Sequence, residues 1–214
     1  MEKSIEILSE LVKKTIIPHK CQNERYLHHY YSKKMQEYFK IDFEKLEMSE
    51  LHPEWPTSKK STNISFSKYR KNDEKKYIID VDKGSAAFID FVVGSYKEPE
   101  FAIEFVSKYD VDSEGLIFDF LKLLDSKNPF KYAISFNLIY RKNGLPQGRD
   151  EQNIINSLKA TLDENMLKAR GLKIAENRQF LFWLIEIDKN GNKRSWICDN
   201  IARGFEEKLP DFQK

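Results

Sequence analysis

Two apolar runs near the middle of the chain, residues 86–93 and 101–107, each contain one acidic residue. Apolar runs of this length, bounded by turn residues, predict buried strands. An ionised carboxylate in a buried strand is costly unless a cation, a metal ion or hydrogen bonds compensate it. Asp90 and Glu104, on two neighbouring predicted strands, therefore suggest a site for a divalent metal ion.

The alternation of side chains along a strand decides whether the two acids can meet. Asp90 shares a face with Val92, and Glu104 shares a face with Val106. Adjacent strands lie about 4.8 Å apart, so both carboxylates can reach one ion when their faces match. Mg²⁺ favours one or two carboxylates together with water, and we expect Mg²⁺ or Mn²⁺ at this site. The alternative is that both acids lie at strand ends, where solvent or lysines neutralise them.

The order of elements around these strands predicts an α/β fold. Two N-terminal helices, residues 3–17 and 23–39, precede an irregular or partly strand-forming insertion at 40–76, in which Pro53 and Pro56 exclude a regular element across their segment. Three strands joined by short turns then predict consecutive antiparallel pairing. The helix and strand that follow predict a crossover connection, which places the last strand parallel to the third. These elements are strands at 77–81, 86–93 and 101–107, a helix through Leu124 and a strand at 132–140.

The C-terminal third predicts a helix from about 151 to 169 and then two strands, 180–188 and 193–198. Asn190-Gly191 between these strands is a strong hairpin signal. No segment is typical of a flexible linker. We therefore expect a single α/β domain over 1–214, with a core at about 20–140 and a C-terminal extension at about 150–214.

Charge position is more informative than net charge. The formal net charge of +2 does not by itself indicate nucleic-acid binding, but residues 58–76 hold seven Lys or Arg against two acids. Such a run is either a solvated loop or strand edge, or a patch that contacts phosphates. The candidate nucleic-acid-binding residues in it are Lys59, Lys60, Lys68, Arg70 and Lys71.

Cysteine usage and hydropathy indicate the compartment. Two widely separated cysteines, Cys21 and Cys198, fit a reducing environment. The N-terminus lacks the uninterrupted apolar stretch of a signal peptide, and the longest apolar segment, 180–187, is too short to cross a bilayer. We expect a cytoplasmic protein that does not enter membranes.

The predicted order of elements, with Asp90 on the second strand and Glu104 within Ile-Glu-Phe on the third, resembles the PD-(D/E)xK nuclease superfamily. The resemblance covers roughly residues 20–140. It implies a restriction endonuclease-like core, αβββαβ, in which helices flank a mixed sheet, with N-terminal helices added before it and a helix and β-hairpin added after it. It also implies metal binding by Asp90, Glu104, the backbone carbonyl of Phe105 and Glu24.

The function implied by this resemblance is hydrolysis of DNA phosphodiester bonds by a divalent-metal-dependent endonuclease of the restriction, phage or mobile-element type. Many such nucleases act as dimers because two strands must be cut, so a homodimer is compatible with the resemblance. DNA is the expected partner.

The chain departs from the family at Val106, where the family has a lysine that orients water and neutralises charge at the phosphate. Lys108 has the same parity as Glu104 and lies roughly 13 Å along the strand, so we expect it to be the displaced catalytic cation. Lys122 is predicted to point away from the apolar stripe of its helix, toward solvent. The alternative is that the lysine is lost, leaving an inactive nucleic-acid-binding or protein-interaction module.

The pair His28-His29 lies on the second predicted helix. Adjacent helical side chains diverge by about 100°, so the two imidazoles cannot face one site. Neither has a metal-binding partner at a recognisable spacing. We expect no ligand role for either histidine.

Overall fold

The computed structural model describes residues 2–14, 24–40, 50–57, 64–68, 75–79, 88–109, 113–141, 150–161, 173, 175, 177–200 and 203–207. These residues form four helices and nine strands. In chain order they are α1 (Glu2–Lys14), α2 (Glu24–Phe39), β1 (Leu51–Pro56), β2 (Ile64–Lys68), β3 (Lys75–Ile79), β4 (Phe88–Gly94), β5 (Pro99–Lys108), α3 (Ser113–Leu124), β6 (Tyr132–Arg141), α4 (Asp150–Thr161), β7 (Gln179–Asp188), β8 (Lys193–Cys198) and β9 (Glu206–Glu207).

A seven-stranded mixed sheet forms the centre of the fold, in the order β1-β4-β5-β6-β7-β8-β9. β4 and β5 pair antiparallel, whereas β5, β6 and β7 run parallel to one another. The predicted α/β class and the parallel pairing across α3 are therefore confirmed. β7 and β8 form the predicted hairpin, in which Gly191 has a positive φ of 83° at the turn, and they extend the same sheet.

The edge of the sheet next to β4 differs from the prediction. The segment predicted as a strand at 77–81 contributes β3, which pairs with β2 in a separate two-stranded sheet and not with β4. β1 pairs with β4 instead, with Pro53 opposite Phe91. The exclusion of a regular element around Pro53 and Pro56 was wrong because β1 is an edge strand, where a proline has no ladder hydrogen bond to lose on its free side.

Helices cover both faces of the sheet. On one face, α1 and α2 pack apolar side chains such as Leu8, Leu11 and Tyr31 against strand residues that include Phe105 and Trp183. α1 does so because its apolar residues recur at helical spacing and form one stripe. On the other face, α3 and α4 pack against residues that include Val106 and Leu184. The neighbours Phe105 and Val106 on β5 therefore point to opposite faces, as strand geometry requires.

The C-terminal helix is described from Asp150 to Thr161, and the remainder of its predicted range lies outside the described residues. No helix in the described part of the chain is both long and apolar enough to cross a membrane.

Candidate functional site

The candidate site lies where β4 and β5 part. The antiparallel ladder ends at Phe91 opposite Ile103, so Asp90 and Glu104 are the next positions along the two strands. Beyond this point, side-chain carboxylates replace β4 as hydrogen-bond acceptors for β5. The backbone N–H of Phe105 donates to Asp90 Oδ2 at 2.7 Å.

Glu24, the first residue of α2, reaches the same strand edge. Its carboxylate accepts a hydrogen bond from the backbone N–H of Ser107, two residues beyond Phe105. In an extended strand, the N–H and C=O of one residue point to the same side. The carbonyl of Phe105 therefore faces the edge where Asp90 and Glu24 lie.

Lys122 lies inside the site, and the prediction that it points to solvent was wrong. Its side chain is only 6% exposed, and its Nζ lies 2.6 Å from Glu104 Oε1 and 3.0 Å from Asp119 Oδ1. Nζ also donates to the carbonyl of Phe88 on β4 at 2.9 Å. Three residues, Phe88 on β4, Glu104 on β5 and Asp119 on α3, thus share one ammonium group.

The burial of α3 on more than one side explains this error. The apolar stripe used to orient the helix packs on Val106, as expected, but Leu123 joins a second buried cluster with Ile89 and Val92 of β4. The side of α3 that carries Asp119 and Lys122 therefore lies beside β4. A helix with apolar residues on several sides is buried more widely than its main stripe indicates.

Val106 is buried at 2% exposure in the cluster that α3 forms on the sheet. Glu104 lies on the same face of β5 and meets Lys122 from α3. The face of β5 that carries Glu104 is thus packed with an apolar side chain at position 106. The helix above that face supplies an ammonium group to the glutamate.

Negative charge exceeds positive charge in this cluster. Burial, together with the charges of Asp90 and Asp119, raises the pKa of Glu104 well above its usual range despite the opposing charge of Lys122. Burial likewise raises the pKa of Asp119. Burial alone would lower the pKa of Lys122, but the two carboxylates outweigh it, and the pKa of Lys122 is raised. The ammonium is therefore held in its charged form.

Glu24 belongs to the same electrostatic cluster. Burial and the charge of Asp90 raise its pKa, against the opposing effects of His28 and of the hydrogen bond from Ser107. A divalent cation would relieve the repulsion among these carboxylates.

His28 contacts Asp90, a partner that the sequence did not indicate. Its Nε2 lies 3.3 Å from Asp90 Oδ2. The imidazole ring packs against Phe91 and Phe105, with both ring centroids at 5.4 Å. His29 is exposed, as the divergence of adjacent helical side chains requires.

Lys108 is the last residue of β5, and its positive charge opposes the rise in the pKa of Asp119. It therefore lies near the cluster. Lys108 was preferred to Lys122 because Lys122 was expected to point to solvent, and Lys122 is buried instead. A catalytic role for Lys108 stays a prediction.

The predicted basic patch is only partly within the described residues. Lys68 ends β2, where its backbone pairs with that of Lys75. The other four candidates, Lys59, Lys60, Arg70 and Lys71, lie outside the described residues.

The donor chemistry of the site fits a hard divalent cation. Carboxylate and carbonyl oxygens are the ligands that Mg²⁺ and Mn²⁺ prefer, and one or two carboxylates with water suffice for Mg²⁺. Glu104 Oε1 is buried and accepts no hydrogen bond of good geometry, although Lys122 lies beside it. Over the described ranges, no three His, Cys, Asp or Glu side chains lie close enough together to hold an ion among them.

Comparison with models of known protein families gave no match, and searches of characterised proteins and of solved structures gave none either. The residues of the site itself therefore carry the functional argument.

Three residues of the cluster, His28, Asp119 and Lys122, were not assigned roles from the sequence. For Asp119 and Lys122 a signal exists, because Phe-Asp-Phe-Leu-Lys-Leu-Leu places an acid and a base three residues apart in an otherwise apolar helix segment. Such a pair shares one side of the helix. For His28 the sequence holds no comparable signal, because its contact with Asp90 joins two elements 62 positions apart.

Proposed function

We propose that the chain is a divalent-metal-dependent DNA endonuclease of the PD-(D/E)xK type, with its lysine supplied by α3. The order α2, β1, β4, β5, α3, β6 supports the proposal, because it is the αβββαβ order of that core with β4 and β5 antiparallel and β5 and β6 parallel. The hairpin of β2 and β3 is then an insertion between the first two strands of the core.

The observation that carries the proposal is the 2.6 Å contact between Lys122 Nζ and Glu104 Oε1. Val106 removes the lysine from the position where the family has it, and this is the strongest argument against catalysis. Lys122 compensates for the missing lysine, since it brings a buried ammonium to Glu104 from the helix that covers the same face of β5.

Each residue has a role in the proposed hydrolysis. Asp90, Glu104 and the carbonyl of Phe105 would hold the metal ion, and Glu24 would add negative charge beside them. The ion, when bound, polarises the phosphate and lowers the pKa of an attacking water. Lys122 places a fixed positive charge where negative charge develops on the phosphate, which stabilises the transition state electrostatically.

A second candidate function is a nuclease-fold module that binds nucleic acid or a protein without cleaving. Val106 favours it, as does the absence of a three-ligand group among the residues that the structure describes. This function predicts DNA binding that is steeply salt-dependent but indifferent to chelators, or no DNA binding at all for a protein-interaction module.

A cleavage assay separates these functions. Wild-type protein is incubated with duplex, single-stranded and branched DNA over titrations of Mg²⁺ and Mn²⁺, beside the Asp90→Asn variant. Asparagine keeps an oxygen that can accept from Phe105 N–H but removes the charge, so we expect a rate loss of about 100-fold or more with the fold retained. Asp199→Asn, which changes an exposed aspartate paired with Arg203, is the matched control.

The proposal fails if the folded wild-type protein cleaves none of these substrates with either metal. It also fails if cleavage occurs but persists in Asp90→Asn at the wild-type rate, because a contaminating nuclease would then be responsible.

A further inference from the structure

The ring nitrogen of His28 is the buried polar atom of the site that the proposed nuclease chemistry leaves without a role. Nε2 is fully buried and makes no hydrogen bond of good geometry, yet it lies 3.3 Å from Asp90 Oδ2. A buried polar atom without a hydrogen bond is costly and calls for an explanation, of which an ion is one.

We infer that His28 is a nitrogen ligand of the metal ion, beside Asp90, so that the site favours a first-row transition ion such as Mn²⁺ or Co²⁺ over Mg²⁺. This inference rests on the proposed metal site but not on cleavage. Imidazole suits transition ions, whereas Mg²⁺ takes oxygen ligands and keeps its waters.

The spacing of the two atoms supports the inference. Two neighbouring ligands of one ion, each about 2.1 Å from it, lie roughly 3 Å from each other. Nε2 and Oδ2 lie 3.3 Å apart. Oδ2 also accepts from Phe105 N–H, but a carboxylate oxygen has two lone pairs and can serve both partners.

The ring of His28 is held in place before any ion binds. Phe91 meets it edge-on at an interplanar angle of 80°, and Phe105 packs at 52°, both at 5.4 Å between centroids. A ring fixed by its neighbours loses little rotamer freedom on binding, which is the condition for a preorganised ligand.

The surroundings of His28 favour a cation and leave room for one. Asp90, Glu24 and Glu54 all act on the imidazole as negative charges. A cavity of about 360 Å³ opens beside it, lined in part by His28, Asp90, Glu54 and Ser32. Since a water molecule takes about 30 Å³ of liquid volume, this space accommodates water ligands or a phosphate group together with an ion.

Metal affinity measured on the full chain tests the inference without reference to cleavage. Dissociation constants for Mn²⁺, Co²⁺ and Mg²⁺ are determined by calorimetry for wild type and for His28→Phe, which keeps an aromatic ring between Phe91 and Phe105 but removes the nitrogens. We expect Mn²⁺ and Co²⁺ to bind at least about tenfold more weakly, and Mg²⁺ to change by less than about threefold. Tyr38→Phe, at an exposed aromatic position of the same helix that does not line this cavity, is the matched control and should leave all three affinities unchanged.

Pulsed electron paramagnetic resonance of wild-type protein with Mn²⁺ gives a second readout that needs no variant. A directly bound imidazole couples its ¹⁴N nucleus to the Mn²⁺ electron spin, so we expect a nitrogen coupling in the wild-type spectrum and none in His28→Phe. This measurement decides the question even where His28→Phe fails to fold.

The possible outcomes separate the two proposals. An unchanged Mn²⁺ affinity in folded His28→Phe, an equal loss for Mn²⁺ and Mg²⁺, or a wild-type spectrum without nitrogen coupling overturns the role of His28. If Asp90→Asn still abolishes cleavage in those cases, the proposed function stands. If the nitrogen coupling is present but no DNA is cleaved, His28 is a metal ligand and the nuclease proposal fails. Wild-type protein that binds none of the three ions overturns both.

Discussion

Lys122 and Arg178 are two basic side chains withdrawn from solvent beside the same helix, and they differ in their partners. Lys122 lies against two carboxylates, Glu104 and Asp119, and one backbone carbonyl. Arg178 bonds only to backbone carbonyls among the partners observed for it. Lys122 is thus a cation placed among carboxylates, and Arg178 is a cation that holds two segments of the chain together.

The guanidinium of Arg178 joins the end of α3 to the start of β6. It donates to the carbonyls of Leu123, Asp125, Asn128 and Phe130 at 2.5–3.0 Å. It also stacks on the ring of Phe130, at 4.4 Å from the centroid. These partners are neutral, and burial lowers the pKa of Arg178 to about 10, with only the charge of Asp125 opposing the shift.

The carboxylates around Lys122 have the opposite effect on its pKa, which is raised in spite of burial. A buried cation that only closes a loop needs no such excess of negative charge. The excess at Lys122 extends to Asp90 and Glu24, both within electrostatic reach of this cluster. Carboxyl groups thus outnumber the cation at Lys122, as the proposed metal site requires, whereas the partners of Arg178 are neutral carbonyls.

Exchanging each cation for methionine gives the largest expected contrast. Lys122→Met should slow metal-dependent cleavage by about 100-fold or more, because it removes a fixed charge at the phosphate. Arg178→Met should leave the rate of the folded protein within about threefold, but lower the free energy of unfolding by about 2–4 kcal/mol, since buried carbonyls lose their donors. Single-turnover cleavage and urea denaturation of both variants check the two effects.

The contrast breaks down if Arg178→Met slows cleavage as much as Lys122→Met does when both proteins are folded. Lys122→Gln serves where methionine prevents folding, since it keeps a polar group beside Glu104 and Asp119 without the charge.

The raised pKa values predict a pH dependence of stability that originates in the Lys122 cluster. The folded state holds protons on Glu104 and Asp119 more tightly than the unfolded state does. Their contribution to stability is therefore full below the ordinary carboxyl values of 4.5 and 3.8 and is lost as the pH rises through the raised values. Glu104→Gln should flatten this decline, by at most about 1.4 kcal/mol per pH unit for one proton.

Urea denaturation between about pH 4.5 and 8 in the presence of a chelator measures this dependence. Glu98→Gln, at an exposed position in the turn between β4 and β5, is the matched control and should leave the decline unchanged. An equal slope in wild type and Glu104→Gln would show that the decline in stability does not originate at Glu104. Added Mn²⁺ should stabilise wild type most at the upper end of the range, where the carboxylates are free of protons.

Lys108 should show the smallest effect. It acts on Asp119 through its charge, whereas Lys122 contacts Asp119 directly. Lys108→Ala should therefore slow cleavage by less than about threefold, because a charge at the end of a strand is partly screened by solvent. Lys97→Ala, at an exposed lysine in the turn between β4 and β5, is the control. If Lys108→Ala slows cleavage as much as Lys122→Met does, Lys108 also acts as a catalytic cation.

Much of the fold follows from sequence pattern. Apolar runs and turn signals located β4, β5, β6, β7 and β8, and the helix between β5 and β6 predicted a parallel pairing. The edge strand could not be found in this way, because prolines normally exclude a strand and only the free side of β1 makes them harmless. Which strand takes the edge position depends on tertiary pairing, and β3 has a better strand composition than β1.

The site was predictable in part for a related reason. Asp90 and Glu104 stand out because an acid in an apolar run needs compensation. The compensating groups come from other elements, and a helical wheel places Lys122 correctly only when every buried side of α3 is known. The long stem of lysine adds to this difficulty, because its charge can lie well away from the direction in which the residue leaves the helix.

Moving the lysine back to the strand tests most directly whether Lys122 takes the role of the missing residue. Three variants are compared with wild type in single-turnover, metal-dependent cleavage: Val106→Lys, Lys122→Met and the double variant. Val106→Lys alone should gain no activity and should lose stability, because Val106 is packed beneath α3 at 2% exposure. The double variant should cleave at least about tenfold faster than Lys122→Met, since it restores an ammonium on the face of Glu104. A double variant that is folded and binds the metal but cleaves no faster than Lys122→Met would contradict the assignment of Lys122 as the catalytic cation.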